Sequence, residues 1–302
     1  MKSFFLYALI SIVPASILAA CGDETPEADE QAEEINQENG KDMEDETITF
    51  GLTTWTSTEA PTEIVRLILE EAGYDVEYER VDQPYIFQGL SQQDIDFFMD
   101  AWLPYTEEDL WAEHEDNLQK VATSYEGAPL GFAVPSYVEE DSIEDLEGNA
   151  EKFNEEIIGI DPGAGLVSAA EDAVEGYEIG GEYDLMTSSE EAMVSELDSK
   201  IEAEEPVIVT GWRPHSMFVN YDVKLLDDPD EYFKTDNVYV ISYNEIEEEH
   251  PRAYEILSQW EMDIDDLEEI MHAYEEEGKP FEESASEWID ENRDQVEAML
   301  NQ

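Results

Sequence analysis

Cysteine is almost missing from this chain: Cys21 is the only one in 302 residues. An intrachain disulfide framework is therefore excluded. Basic residues are scarce too, with 13 Lys and Arg against 80 Asp and Glu, for a formal net charge of −67. A field of that sign repels nucleic acid and anionic lipid headgroups, which makes both poor partners. HExxH, CxxC, P-loop and GxSxG motifs are absent. Nothing local therefore assembles a zinc site, a phosphate cradle or an activated serine. His114, His215, His250 and His272 are scattered along the chain, and no EF-hand spacing occurs. Carboxylates are too numerous for a glycosidase-type pair to stand out. Neither metal nor cofactor is expected, and no enzyme class gains support.

What is present describes a folded protein in salt. The hydrophobic fraction is 41% and the aromatic fraction 11%, values of a globular chain. Self-repulsion at this charge opposes compactness in dilute buffer. It fades when the screening length falls to roughly 3 Å near 1 M salt. The acidity is read as adaptation to a salty environment and says little about any ligand.

The start of the chain carries an address. Met1 and Lys2 precede an apolar run, Phe4 to Leu18, interrupted by Pro14. It is too short for a comfortable membrane span. Leu18-Ala19-Ala20-Cys21 resembles the bacterial lipobox, which implies a signal peptide over 1–20 and a lipid on Cys21. Residues 21–46 are rich in Glu, Asp, Gln and Asn and cannot bury enough surface to fold. An acidic tether is expected there, with the folded part starting near Thr47 outside the cell membrane.

From Thr47 onward strand and helix patterns alternate. Thr47–Leu52, Tyr74–Val81, Ile95–Met99, Ile157–Ile160, Tyr183–Met186 and Val207–Val209 read as strands. Helical patterns run from about Pro61 to Ala72, from Gly165, from Ser189, and through most of the chain after Glu245. Residues 137–156 read as an acidic loop. The alternation predicts α/β lobes with largely parallel sheets. One lobe is expected from 47–134 with 240–302, the other from 135–239.

Of six tryptophans, Trp111, Trp260 and Trp288 fall among apolar neighbours of helical stretches, where packing explains them. Trp55, Trp102 and Trp212 stand instead at the carboxyl ends of expected strands, where open α/β sheets hold ligands. Three indoles around one cleft would cage a permanent cation at about 0.5–2 kcal/mol per ring. Ile160-Asp161-Pro162-Gly163-Ala164-Gly165-Leu166 leaves a strand and opens a helix. Its glycines permit close approach of backbone N–H groups, and the helix end suits a carboxylate. Cage and turn together describe a zwitterion with an ammonium at one end.

The segments IIGIDPGAGL, VTGWRPH, DAWLP and EEHPRAYEIL resemble the substrate-binding proteins of glycine betaine and proline betaine ABC importers, from about residue 47 to 300. The resemblance implies a two-lobed periplasmic-binding-protein-like (type II) fold with the ligand between the lobes. It implies a cage of Trp55, Trp102 and Trp212, carboxylate contacts at Gly165 and Leu166, and Gly163 and His215 within the same motifs. It also implies a monomer that docks on permease and ATPase subunits. Two positions depart. Relatives carry a carboxylate-binding histidine where Glu107 stands, and often an aromatic residue where Ser216 stands. These departures bring choline and carnitine forward as rival ligands to betaine. A sensor or scaffold lipoprotein of the same fold is the rival role.

Overall fold

The computed structural model describes residues 46–301. The predicted signal peptide, Cys21 and the acidic stretch that follows it up to residue 45 lie outside the described residues. The chain begins with β1 (Thr47–Leu52), α1 (Thr56–Glu71), β2 (Asp75–Arg80), α2 (Gln83–Gln92), β3 (Phe97–Leu103) and α3 (Glu108–His114). Next come β4 (Leu118–Ala128), β5 (Leu130–Pro135), β6 (Glu156–Gly159), α4 (Gly165–Gly176), β7 (Asp184–Thr187), α5 (Glu190–Glu202) and β8 (Val209–Trp212). A short α6 (Met217–Asn220) leads to β9 (Val223–Leu225) and β10 (Asp236–Tyr243). Helices α7 (Ile246–Glu249), α8 (Pro251–Leu257), α9 (Ile264–Glu277), α10 (Phe281–Glu291) and α11 (Arg293–Leu300) complete the described part.

Two five-stranded sheets form, in the orders β2-β1-β3-β10-β4 and β7-β6-β8-β5-β9. The chain changes sheet at Pro129, between β4 and β5, and again between β9 and β10. The central strands read as their burial requires. Every residue of β3 and of β5 is buried, consistent with strands covered on both faces. Helices α9 and α10 pack along α1 on the first sheet. Trp260 and Trp288 sit in that core with ring centroids 5.7 Å apart.

The sheets are mixed rather than largely parallel. β1 pairs parallel with β2 and β3, and β6 pairs parallel with β7 and β8. β10 runs antiparallel to β3 and β4, and β5 antiparallel to β8 and β9. A crossover helix is what makes successive strands parallel. β4 runs into β5 with only Pro129 between them, so these strands carry no such constraint.

Three boundaries also move. β3 runs on to Leu103 because β10 pairs with it, Trp102 opposite Val238. β8 runs on to Trp212 because β5 pairs with it, Leu130 opposite Trp212. Helix α1 starts at Thr56, ahead of Pro61. Its cap comes from far away: Glu190 accepts from the Thr56 N–H at 2.9 Å and from its hydroxyl at 2.7 Å. The stretch 137–156 contains short 3₁₀ turns at Ile143–Leu146 and Ala150–Phe153, the first opened by a Ser142–Asp145 capping box.

Candidate functional site

Trp55, Trp102 and Trp212 line one cavity, together with Ser57, Gln83, Thr106, Glu107, Leu130, Ile160, Ala164, Gly165 and Leu166. The space free of protein atoms, open mouth included, is about 340 Å³. Trp55 follows β1 and Trp102 lies in β3, so both come from the first sheet. Trp212 ends β8 in the second sheet, and Gly165 and Leu166 open α4 on that same side.

Each ring is held from behind. The Trp102 indole N–H donates to Asp100 at 2.8 Å, and that of Trp55 donates to Asp161 at 3.0 Å. A carboxylate accepting an indole N–H orients the ring and polarises it toward greater electron density. Both effects strengthen attraction of a cation to the face. Trp212 instead stands edge-on to the His215 ring, with centroids 4.5 Å apart.

Asp100 is fully buried and collects donors: Thr58 Oγ1 at 2.7 Å, Ser57 Oγ at 3.1 Å and Tyr125 OH at 3.4 Å, besides Trp102. Burial pushes its carboxyl above the usual range, and these donors pull against that push. The same burial, with Asp100 nearby, raises the Tyr125 phenol well above its ordinary value.

Gly165, also in the cavity wall, admits a close approach. A β-carbon there would lie 2.3 Å from the Thr106 carbonyl oxygen, so only glycine lets the α4 turn reach the Tyr105–Glu107 segment. Asp236 fixes that segment, accepting from the N–H groups of Tyr105 and Thr106 at 2.8 Å each. Glu107, 1% exposed, faces the cavity. One of its oxygens accepts from the Gln83 amide, and burial followed by the charge of Asp100 raises its carboxyl well above the usual range.

Two expected ligand residues sit elsewhere. His215 does not line the cavity; it is fully buried behind Trp212. Its Nδ1 accepts the Met217 N–H at 3.0 Å, which leaves the ring proton on Nε2, 3.0 Å from Glu190. The ring accepts the first N–H of α6 and stands behind Trp212. Gly163 also lies outside the cavity: a β-carbon there would meet only Pro84, in a neighbouring surface groove. Ser216 is buried and donates to Glu275 of α9.

Gln83, Ser57 and Leu130 join the site without having been singled out in the sequence. No motif flags them, because helix α2, helix α1 and the start of β5 are brought to the cavity only by the sheet pairing. Asp100 carried a signal, since it stands two residues before Trp102 on the same face of a strand. Among the described residues no group of His, Cys, Asp and Glu is arranged to hold a metal ion. No described helix is long and apolar enough to cross a membrane.

Residues 46–291 match the family model for the substrate-binding domain of the ABC-type glycine betaine transport system. The glycine betaine/carnitine transport binding protein GbuC of Listeria monocytogenes is 37% identical over 148 residues, covering 48% of this chain and 49% of GbuC. The chain thus spans about half the length of that curated relative. Lactococcal OpuAC, solved closed with glycine betaine, is 30% identical with a TM-score of 0.81, covering 85% of this chain and 100% of its own. The glycine betaine/L-proline-binding protein ProX of Borrelia burgdorferi is 29% identical with a TM-score of 0.81, at 85% and 100% coverage.

Proposed function

The chain belongs to the family of substrate-binding domains of ABC-type glycine betaine transport systems, and on that premise we propose that it captures glycine betaine or a close methylated zwitterion for import. The carrying observation is the shared cavity of Trp55, Trp102 and Trp212, with Gly165 and Leu166 in its wall. A trimethylammonium group offers no hydrogen-bond donor, so an aromatic cage is the surface that recognises it. The carboxylate lies toward the start of α4, where backbone N–H groups and the helix end favour an anion.

The two sheets with their helices act as lobes that close on the ligand by hinge motion at the two inter-sheet connections. The protein works as a monomer tethered outside the membrane by a lipid on Cys21 and delivers its ligand to permease and ATPase subunits. It performs no turnover. Its acidity keeps it soluble and folded in salty surroundings.

Tryptophan fluorescence in about 1 M salt, titrated with glycine betaine and separately with choline, tests the reading. A saturable betaine response that is lost in Trp102→Ala and Trp212→Ala supports it. A response to choline alone moves the ligand to a quaternary ammonium without a carboxylate. No response to either from a folded protein removes the reading.

A further inference from the structure

Glu107 precedes α3, yet its side chain points inward. Its Oε1 accepts from Gln83 Nε2, whereas its Oε2 is buried and has no hydrogen-bond partner. Gln83 Oε1 in turn receives the Gly165 N–H at 3.4 Å. Gln83 therefore ties the carboxyl group to the start of α4, at the end of the cavity where the ligand's carboxylate is placed by the proposed function. Leaving such an oxygen unpaired is costly, which marks it as waiting for a partner.

Two carboxylates cannot share that spot in ionised form. The titratable groups facing Glu107 are Asp100 on β3, Asp236 at the start of β10 and Tyr125 on β4; none of them is a cation. Gln83 from α2 is neutral, and Glu107 also borders a surface groove lined by Asp172 of α4, Asp230 and Lys234. Burial and the charge of Asp100 already favour the acid form. A carboxylic acid kept neutral in an apolar site is a hydrogen-bond donor.

We propose that Glu107 meets the ligand as the neutral acid, donating its Oε2 hydrogen to the ligand carboxylate, so that betaine-type zwitterions bind together with one proton on Glu107. The proton comes from solvent and stays on Glu107 while the ligand is held. A ligand lacking a carboxylate gains nothing from it. For choline an ionised Glu107 is the better neighbour, as an anion near a cation. The same position thus sorts the two ligand classes by pH. This inference rests on the betaine reading above.

Isothermal titration of the purified protein with glycine betaine and with choline, across pH 5–9 at constant salt, tests it. Buffers of different ionisation enthalpy count the protons. Above the pH where Glu107 ionises in the free protein, betaine affinity should fall about tenfold per pH unit, with uptake of one proton per ligand. Choline affinity should not fall with it. In Glu107→Gln the betaine slope and the proton uptake should both vanish. Betaine binding with no pH slope and no proton uptake in the parent chain overturns this inference alone, and so does a slope that persists in Glu107→Gln. Absence of betaine binding at every pH overturns the betaine reading along with it. The proton count in the parent chain does not depend on any variant folding.

Discussion

Asp100 accepts the indole N–H of Trp102 at 2.8 Å from two residues away on the same strand. The carboxylate that orients the ring also adds to burial in raising the pKa of Glu107, so one buried group acts on two residues of the cavity wall. Asp100→Asn turns an amide N–H toward some of the Thr58, Ser57 and Trp102 donors. Thermal unfolding should show a loss of about 1–3 kcal/mol from donors left unpaired. Cation affinity should fall about tenfold as the ring loses its acceptor. An unchanged affinity would mean that the ring is held by packing alone.

The three tryptophans that line the cavity should differ from the three packing tryptophans in what their removal costs. Replacing Trp55, Trp102 or Trp212 by Phe should weaken binding of the trimethylammonium group by about 2- to 30-fold each. Trp260→Phe should instead lower stability by roughly 1–3 kcal/mol, because its indole N–H donates to Ser124 at 3.0 Å in the core. Paired binding and melting curves separate the two classes.

Gly165→Ala places a β-carbon against the Thr106 carbonyl oxygen. Close packing leaves no slack for it. Ligand affinity should drop by about tenfold or more, while the melting temperature of the ligand-free protein moves little. Small-angle scattering with saturating ligand checks the cause: the variant should stay more extended than the parent.

Stability should decline as pH rises, even in high salt. Asp100 and Glu107 both have raised folded values, against ordinary values of 3.8 and 4.5. The folded chain therefore holds these protons more tightly than the unfolded chain. Their contribution is complete below about pH 4 and is lost as pH climbs through the raised values. Glu63 runs the other way: burial opposes its charge, but hydrogen bonds from Arg66 and Tyr78 outweigh that and lower its pKa. Its contribution is present above pH 4.5 and is lost as pH falls through the lowered value. Melting curves at constant salt should show a shallower alkaline decline in Glu107→Gln than in the parent.

Salt should act on the whole molecule. With a net charge of −67, raising NaCl from about 0.05 M to 1 M should raise the melting temperature on the order of 10 °C. Equal ionic strength from potassium chloride should do the same if screening is the cause. A response confined to one cation would point to specific ion binding.

The alternation of strands and helices was legible because hydrophobic period and glycine stops are local signals. The antiparallel strands were not. Nothing near β10 states that it inserts between β3 and β4, more than a hundred residues away in sequence. That pairing also carries β3 through Trp102, which the local pattern had placed beyond the strand. The start of α1 was hidden for a similar reason. Its cap is Glu190, 134 residues distant, whereas Pro61 gave a nearer but later start signal. In the cavity, tryptophans and glycines announce themselves by type. Gln83 does not, since a lone glutamine on a helix has the same appearance whether it faces water or a buried carboxyl.

Two of the cavity's tryptophans come from one sheet and the third from the other, which also supplies the Gly165 turn. Neither side alone surrounds a molecule. Under the proposed function a betaine-type guest therefore needs both sides at once, and the jaws shut only where the two meet around it.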